Sequence, residues 1–199
     1  MKNISIKNSG YVLCRSEFYS VVDIIEGQRQ YNISAGVNKL YGEIDSGIFA
    51  LSYLISMCNY IDRTTLFQPL EARVDEKTVP LSELSSKAAY LDITNPLFAS
   101  TLSIKELISK GIQSSQTILK PEDIKDVFCI DAKRFDRPLM LLGNERITAM
   151  AAIAFSYSKD IFCFPWLSAM RYETFKYRIE HILKVIENNN KIAIVPIGK

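Results

Sequence analysis

Apolar and polar residues alternate with period two through much of the first forty positions. Ile4-Ser5-Ile6 and Tyr11-Val12-Leu13-Cys14 are short β-prone runs, and Phe18 to Ile25 ends at the turn signal Glu26-Gly27. Gln28 to Ile33 alternates again, and Gly36 to Tyr41 runs into Gly42. Each predicts a strand. After Gly47 the period changes. Phe49, Leu51, Tyr53, Leu54, Ile55, Met57 and Cys58 cover most of a helix surface, which predicts a buried helix. Strands return at Leu70 to Val74 and Ala88 to Asp92, and Asn95-Pro96 breaks the chain. Ser103, with Glu106 three residues on, reads as a capping box for a helix running to Gly111. Pro121-Glu122-Asp123 opens a short helix. Asn144 is expected to cap an Ala-rich helix reaching Tyr157. Ile161 to Phe164 is a continuous apolar run, as in a strand buried on both faces. Ala169 to Asn188 predicts an amphipathic helix with Phe175, Ile179, Ile182, Leu183 and Ile186 on one face, and Ile192 to Val195 a last buried strand.

Strands alternating with helices in the second half predict an α/β fold: a largely parallel sheet with helices on its faces. The strand-rich start predicts an antiparallel piece beside it. There is no internal repeat and no linker, so residues 1–199 read as one domain, with the mainly helical stretch of about 94–139 as an inserted subdomain.

Composition narrows the function classes. The balance of 24 basic against 22 acidic residues leaves a net charge of +2, too small for a surface that binds DNA or RNA. The 48% hydrophobic fraction excludes a disordered chain. The longest uncharged stretch of the first third, Ser46 to Ile61, has 16 residues. A spanning helix needs about 20. The start of the chain lacks the apolar run of a signal peptide. Cys14, Cys58, Cys129 and Cys163 are scattered and read as small buried hydrophobes, with no metal-ligand spacing, and His181 is the one histidine. A cytoplasmic protein without a metal is the expectation.

Candidate chemistry starts at Gly42-Glu43-Ile44-Asp45-Ser46-Gly47-Ile48-Phe49, between a strand and a helix. The two glycines stand at the spacing of G-x-x-x-x-G-K-[ST], a loop whose backbone N–H groups cradle phosphates. A plain glycine turn leading into a buried helix has the same pattern. The segment from Leu141 through Leu142, Gly143, Asn144, Glu145 and Arg146 to Ala154 resembles the signature of the ABC-transporter ATP-binding subunits, L-S-G-G-E/Q-R-x-R-A-x-x-A-x-A. Leu141, Gly143, Glu145, Arg146, Ala149, Ala152 and Ala154 match it. Order supports the resemblance over nearly the whole chain. Asp92 falls where the family places its Q-loop glutamine. Lys159 to Trp166 resembles the Walker B strand, Leu167-Ser168-Ala169-Met170-Arg171 the D-loop, and Lys191 to Ile197 the strand before the switch histidine.

The resemblance implies a P-loop NTPase-like three-layer fold with an antiparallel β subdomain and a helical subdomain. It also implies ATP and Mg²⁺ as the family's ligands. The sequence departs from the pattern where chemistry occurs. Ile48 replaces the lysine, Phe49 the magnesium ligand, Leu142 the signature serine and Asn144 the second glycine. The Walker B strand would end in Pro165-Trp166, or in Phe164-Pro165 if Ser168-Ala169 sets the register, with no acid either way, and Ile197 stands at the switch position. Catalysis of phosphoryl transfer is positioning plus electrostatic stabilisation, and those groups are absent. Weak ATP binding and no hydrolysis by this chain alone are expected, with no certain cofactor. Asp92 is a candidate substitute ligand for Mg²⁺.

By resemblance the chain is a degenerate ATP-binding protein that forms a homo- or heterodimer with another ABC ATP-binding subunit. It would sit in the cytoplasm, or at the inner face of the cell membrane beside a transport subunit. A diverged but active ATPase, and a stand-alone scaffold or protein-binding module on the same fold, are the alternatives. Tyr31 lies ahead of the loop, where the family has an adenine-stacking aromatic, though packing is the commoner use of such a residue. The stretch Arg134 to Pro138 reads as a solvated loop with an internal ion pair. Trp166 is expected to fill the phosphate side with apolar packing.

Overall fold

A computed structural model describes residues 3–8, 11–16, 21–26, 29–43, 46–57 and 71–199. Alternation at the start of the chain builds an antiparallel sheet in the order β4-β1-β6-β7. In it β1 (Asn3–Asn8) lies between β4 (Arg29–Ser34) and β6 (Glu71–Val74), and β6 turns back into β7 (Lys77–Val79). Ile4, Ile6, Ile33 and Ala72 point inward and are buried, while Asn3, Lys7, Asn32 and Arg73 stay exposed, the period-two split expected of a half-buried sheet. A separate hairpin, β2 (Tyr11–Ser16) with β3 (Val21–Glu26), lies against the first helix.

The parallel sheet has the order β5-β10-β9-β8, formed by Gly36–Tyr41, Ile192–Ile197, Ile161–Cys163 and Ala88–Tyr90 respectively. Every residue of β8, β9 and β10 is buried. Alternation along these strands separates two cores. Ala89, Phe162, Ala193 and Val195 face one of them, with α3 (Ile104–Ser115), α6 (Arg146–Ser156) and α7 (Ala169–Asn188). Ala88, Tyr90, Ile161, Cys163, Ile192 and Ile194 face the other, with α1 (Ile48–Met57) and the inner face of the antiparallel sheet. The predicted α/β fold with an antiparallel β part and a helical part is the one observed. Between β8 and β9 the chain is helical: α3, then α4 (Pro121–Val127), α5 (Ala132–Phe135) and α6.

Several local expectations are corrected. The capping box at Ser103 forms, with Ser103 N–H donating to Glu106 Oε2 at 2.8 Å and Glu106 N–H to Ser103 Oγ at 3.2 Å. The helix nevertheless runs past Gly111 to Ser115 and ends at Gln116 in the left-handed region, φ 54°. Asn144 does not cap α6. The residue before the helix is Glu145, in helical conformation and without a side-chain cap bond. Residues 134–138 are a solvated turn only at Asp136 and Arg137. Phe135 ends α5 buried in the core, and Arg134 pairs outside the stretch, with Glu145 at 3.3 Å. Cys163 is buried, but Cys129 is exposed at a positive φ of 53°. The side chain of Cys14 and the whole of Cys58 lie outside the described residues. Two elements without a sequence signal are β7 and α2 (Leu81–Lys87).

Candidate functional site

Open α/β sheets place ligands beyond the carboxyl ends of their parallel strands. Four segments meet that edge here. The loop after β5 starts with Gly42 N–H donating to Ile197 O at 3.0 Å. It folds on itself, because the Ser46 hydroxyl and N–H both donate to Glu43 O, at 2.5 and 3.0 Å. A Cβ on Gly42 would lie 2.4 Å from Ser46 Oγ, so any other residue there would displace the Ser46 side chain. Gly47 has φ +83°, which favours glycine, and accepts from Leu51 N–H to start α1. Ile48 and Phe49 are 7% and 1% exposed, and the Phe49 ring stacks on Tyr53 at 6.0 Å. Glu43 is exposed, and Ile44 and Asp45 lie outside the described residues.

Asp92 follows β8, the far outer strand. Three strand spacings, roughly 14 Å, separate the ends of β5 and β8. Asp92 is buried. Its Oδ1 accepts from Thr94 N–H at 3.0 Å and Thr94 Oγ1–H at 2.8 Å, which fixes the turn. Together with Gly143, Asn144, Arg146, Pro165 and Arg171 it lines a cleft of about 190 Å³. Of the signature-like residues, Gly143 and Asn144 therefore come together with Asp92, while the glycine loop stands apart from them.

Within the signature-like turn, Leu141 is 67% exposed and Leu142 1%. The guanidinium of Arg146 closes the turn by donating to Leu142 O at 3.0 Å and Met140 O at 3.2 Å. Nothing lies within 4 Å of a Cβ built on Gly143, and its φ is not in the left-handed region. After β9, Leu167 N–H donates to Pro196 O and Gly198 N–H to Leu167 O, which ties the two strand ends together. Trp166 is half-buried between them. Its Nε1 is buried and has no hydrogen-bond partner among the described residues. Ser168 then caps α7, accepting from Arg171 N–H at 3.2 Å. Tyr31 packs on the core under the antiparallel sheet, and His181 is half-buried mid-helix with Nε2 3.1 Å from Val127 O.

Sequence reasoning assigned nothing to Arg171 or Arg178. Arg171 was visible as part of the D-loop-like segment, but its place on the Asp92 cleft depends on the packing of α7 against α6. Among the described residues, no group of three or more His, Cys, Asp or Glu is placed to hold a metal ion. No helix among them is long and apolar enough to cross a membrane.

Neither a protein-family profile nor a curated protein matches the sequence. Solved structures match its fold. A Pyrococcus furiosus protein described as an ABC transporter ATP-binding protein superposes with a TM-score of 0.61 at 15% identity, covering 98% of this chain and 90% of that one. An ATP-binding cassette of an ABC transporter in its ADP conformation gives 0.58 at 11% identity, covering 100% and 81%. A bacterial Atm1-family ABC exporter with ATP bound gives 0.57 at 10% identity, and this chain corresponds to 35% of that longer chain. The chain has the fold of the ATP-binding cassettes of ABC transporters, a P-loop NTPase-like fold.

Proposed function

We propose that the chain is an ABC-type ATP-binding protein whose own catalytic positions have been given over to packing. It serves as a non-hydrolysing partner of another ABC ATP-binding subunit, on the cytoplasmic side of a membrane transport subunit. The burial of Ile48 and Phe49 carries this reading. They occupy the positions from which a lysine and a hydroxyl would reach the phosphates and Mg²⁺. The described loop residues offer one carboxylate, Glu43, and no basic side chain, and the Ser46 hydroxyl is turned onto Glu43 O. These groups do not fit a magnesium–nucleoside triphosphate. Loss of one well-placed stabilising donor costs roughly 10²–10³ in rate, and several are missing together.

The open space at Gly143 supports the partner role. Neither backbone conformation nor internal packing requires glycine there, and the missing side chain leaves room for a group from outside to approach the backbone closely. Leu142 turns into the core, so Gly143 and Asn144 would make that contact.

The test uses Trp166, the one tryptophan of the chain, which stands at this edge. Mg·ATP is titrated while its fluorescence is followed, with calorimetry and a hydrolysis assay in parallel. No saturable binding and no turnover are expected. Addition of the chain to an intact ABC ATP-binding subunit is expected to raise that subunit's affinity for Mg·ATP. Turnover by the chain alone would overturn the reading and favour a diverged ATPase. Failure to engage any ATP-binding subunit would favour a stand-alone binding module.

A further inference from the structure

A second cleft, of about 300 Å³, lies on the other side of the signature-like turn, between α4–α5 and the outer faces of α6 and α7. That volume is at the lower end of small-molecule sites. Its walls are apolar, from Phe128, Ile130, Leu142 and Ala149, and Tyr177 stands at the rim, 89% exposed.

The charged groups are unevenly committed. Arg134 Nε lies 3.3 Å from Glu145 Oε2, and Arg178 Nη2 lies 3.6 Å from Glu145 Oε1, so two guanidiniums share one carboxylate. Asp131, the other acid of the cleft, is occupied as the cap of α5, accepting from Lys133 N–H at 2.8 Å. His181 is turned to Val127 O. Arg178 Nη1 is buried and has no hydrogen-bond partner among the described residues. A guanidinium presents five N–H donors in a flat fork, and a covered donor left unpaired is unfavourable. The Arg178 side chain as a whole is 40% exposed and Glu145 36%, so the pair itself contributes little and the covered Nη1 is the distinctive group.

We propose that this cleft binds a small organic anion, a carboxylate or phosphomonoester on an aryl or short alkyl body. The anionic head would pair with Arg178 and Arg134, whose forks match carboxylate and phosphate oxygens. The body would lie along Ile130 and Tyr177, over the buried floor of Phe128 and Leu142. Within the chain Glu145 acts as the counter-ion of both guanidiniums. It directly precedes α6 and follows Gly143-Asn144, so a bound anion that takes over its guanidiniums also frees the residue between the signature-like turn and α6. This site stands independently of the partner reading, since it needs neither a dimer nor a nucleotide.

The full chain is titrated with phenyl phosphate and with benzoate, using inorganic phosphate and benzyl alcohol as controls lacking the body or the charge. Calorimetry gives affinity, and the Tyr177 and Phe128 ring signals in NMR give location. Saturable binding of phenyl phosphate or benzoate is expected, at least tenfold tighter than either control. Preference for one of the two identifies the head group. Arg178→Gln is expected to weaken binding about tenfold or more, the worth of a charge-assisted hydrogen bond. Glu145→Gln is expected to tighten it several-fold by removing the competing carboxylate. No saturation, equal binding of inorganic phosphate, unchanged affinity in Arg178→Gln, or weaker binding in Glu145→Gln would each overturn the proposal.

Discussion

Trp166 lies so close to Gly198 that a Cβ on the glycine would sit 2.8 Å from Cζ2 of the indole and 3.3 Å from the backbone Cα of Ser168. The indole therefore packs against the chain where the β9 and β10 ends meet. Gly198→Ala must move either the ring or the 167–198 hydrogen bond that ties the strand ends. Overpacking of this kind costs about 1–3 kcal/mol. Denaturant unfolding should show that loss, with a red-shifted emission from Trp166 in the folded state. Unchanged stability and emission would mean that the ring swings away freely.

Gly111 poses the opposite question to the usual helix glycine. In a helix interior, replacing Gly by Ala normally gains roughly 0.5–1 kcal/mol. Here a Cβ would meet Ser156 Oγ at 2.0 Å and the Ser156 backbone carbon at 2.9 Å, because α3 crosses α6 at this point. Ser115 Oγ–H donates to Ser156 O at 2.8 Å beside the crossing and holds the helices together. Gly111→Ala should destabilise by about 1–3 kcal/mol. Adding Ser156→Ala removes the hydroxyl clash but not the backbone one, so the double variant should recover only part of the loss. Additive effects in the double-mutant cycle would contradict the close crossing.

What was legible follows from how local each signal is. The 169–188 helix was legible from its apolar stripe, of which Ile179, Ile182, Leu183 and Ile186 are buried, whereas its cap, Ser168, was read only as part of the D-loop-like segment. Strand β7 was hidden because its hairpin turns through Asp75 and Glu76, both at positive φ (46° and 71°), where a glycine or asparagine would have announced it. Asn144 looked like a cap by residue type. Arg146, by tying the carbonyls of Met140 and Leu142, shapes that turn instead. The candidate site was legible as separate segments. That Asp92 shares a cleft with Gly143 and Asn144, and not with Gly42, depends on the strand order β5-β10-β9-β8, which no local pattern encodes.

Lys39 on β5 and Glu180 on α7 set a pH dependence. Their N···O distance is 2.7 Å, and Tyr172 O–H donates to the same carboxylate oxygen at 2.5 Å. Burial pulls the Lys39 ammonium down, but its bonds to Glu180 and Tyr172 outweigh burial and hold it above its ordinary value. The hydrogen bond from Lys39, then that from Tyr172, holds Glu180 below its ordinary value. A carboxylate with a lowered folded pKa stabilises above the unfolded value of 4.5, and that contribution is lost as pH falls through the folded one. A raised lysine stabilises fully below 10.5 and loses its contribution as pH rises through its folded pKa. The side chains are 30% and 43% exposed, so the pair contributes no more than about 1 kcal/mol. Lys39→Met and Glu180→Gln should lower Tm at pH 7, and the gap from the parent should narrow as pH falls below 4.5 and through the lowered folded value. A gap that does not narrow as pH falls below 4.5 would assign the loss to packing.

Cys163 and Cys129 should differ sharply towards thiol reagents. Cys163 is fully buried in β9, and burial pushes its thiol up to about 12, against smaller opposing contributions from Ser56 and Ser52. At pH 8 a thiol titrating near 12 is roughly one part in 10⁴ thiolate, whereas an ordinary free thiol at about 8.5 is near a quarter. Exclusion of the reagent from the core adds to that difference. Cys129 is exposed on the turn after α4. Peptide mapping after brief treatment with iodoacetamide should find Cys129 modified and Cys163 intact. Modification of Cys163 should require denaturant at the concentration that unfolds the parallel sheet, because β9 lies between β8 and β10 and opens only with them. Early modification of Cys163 in native buffer would show that β9 opens locally, and the packing of α1 on the parallel sheet would then be looser than the Ser52 Oγ–H bond to Phe164 O, 2.7 Å, implies.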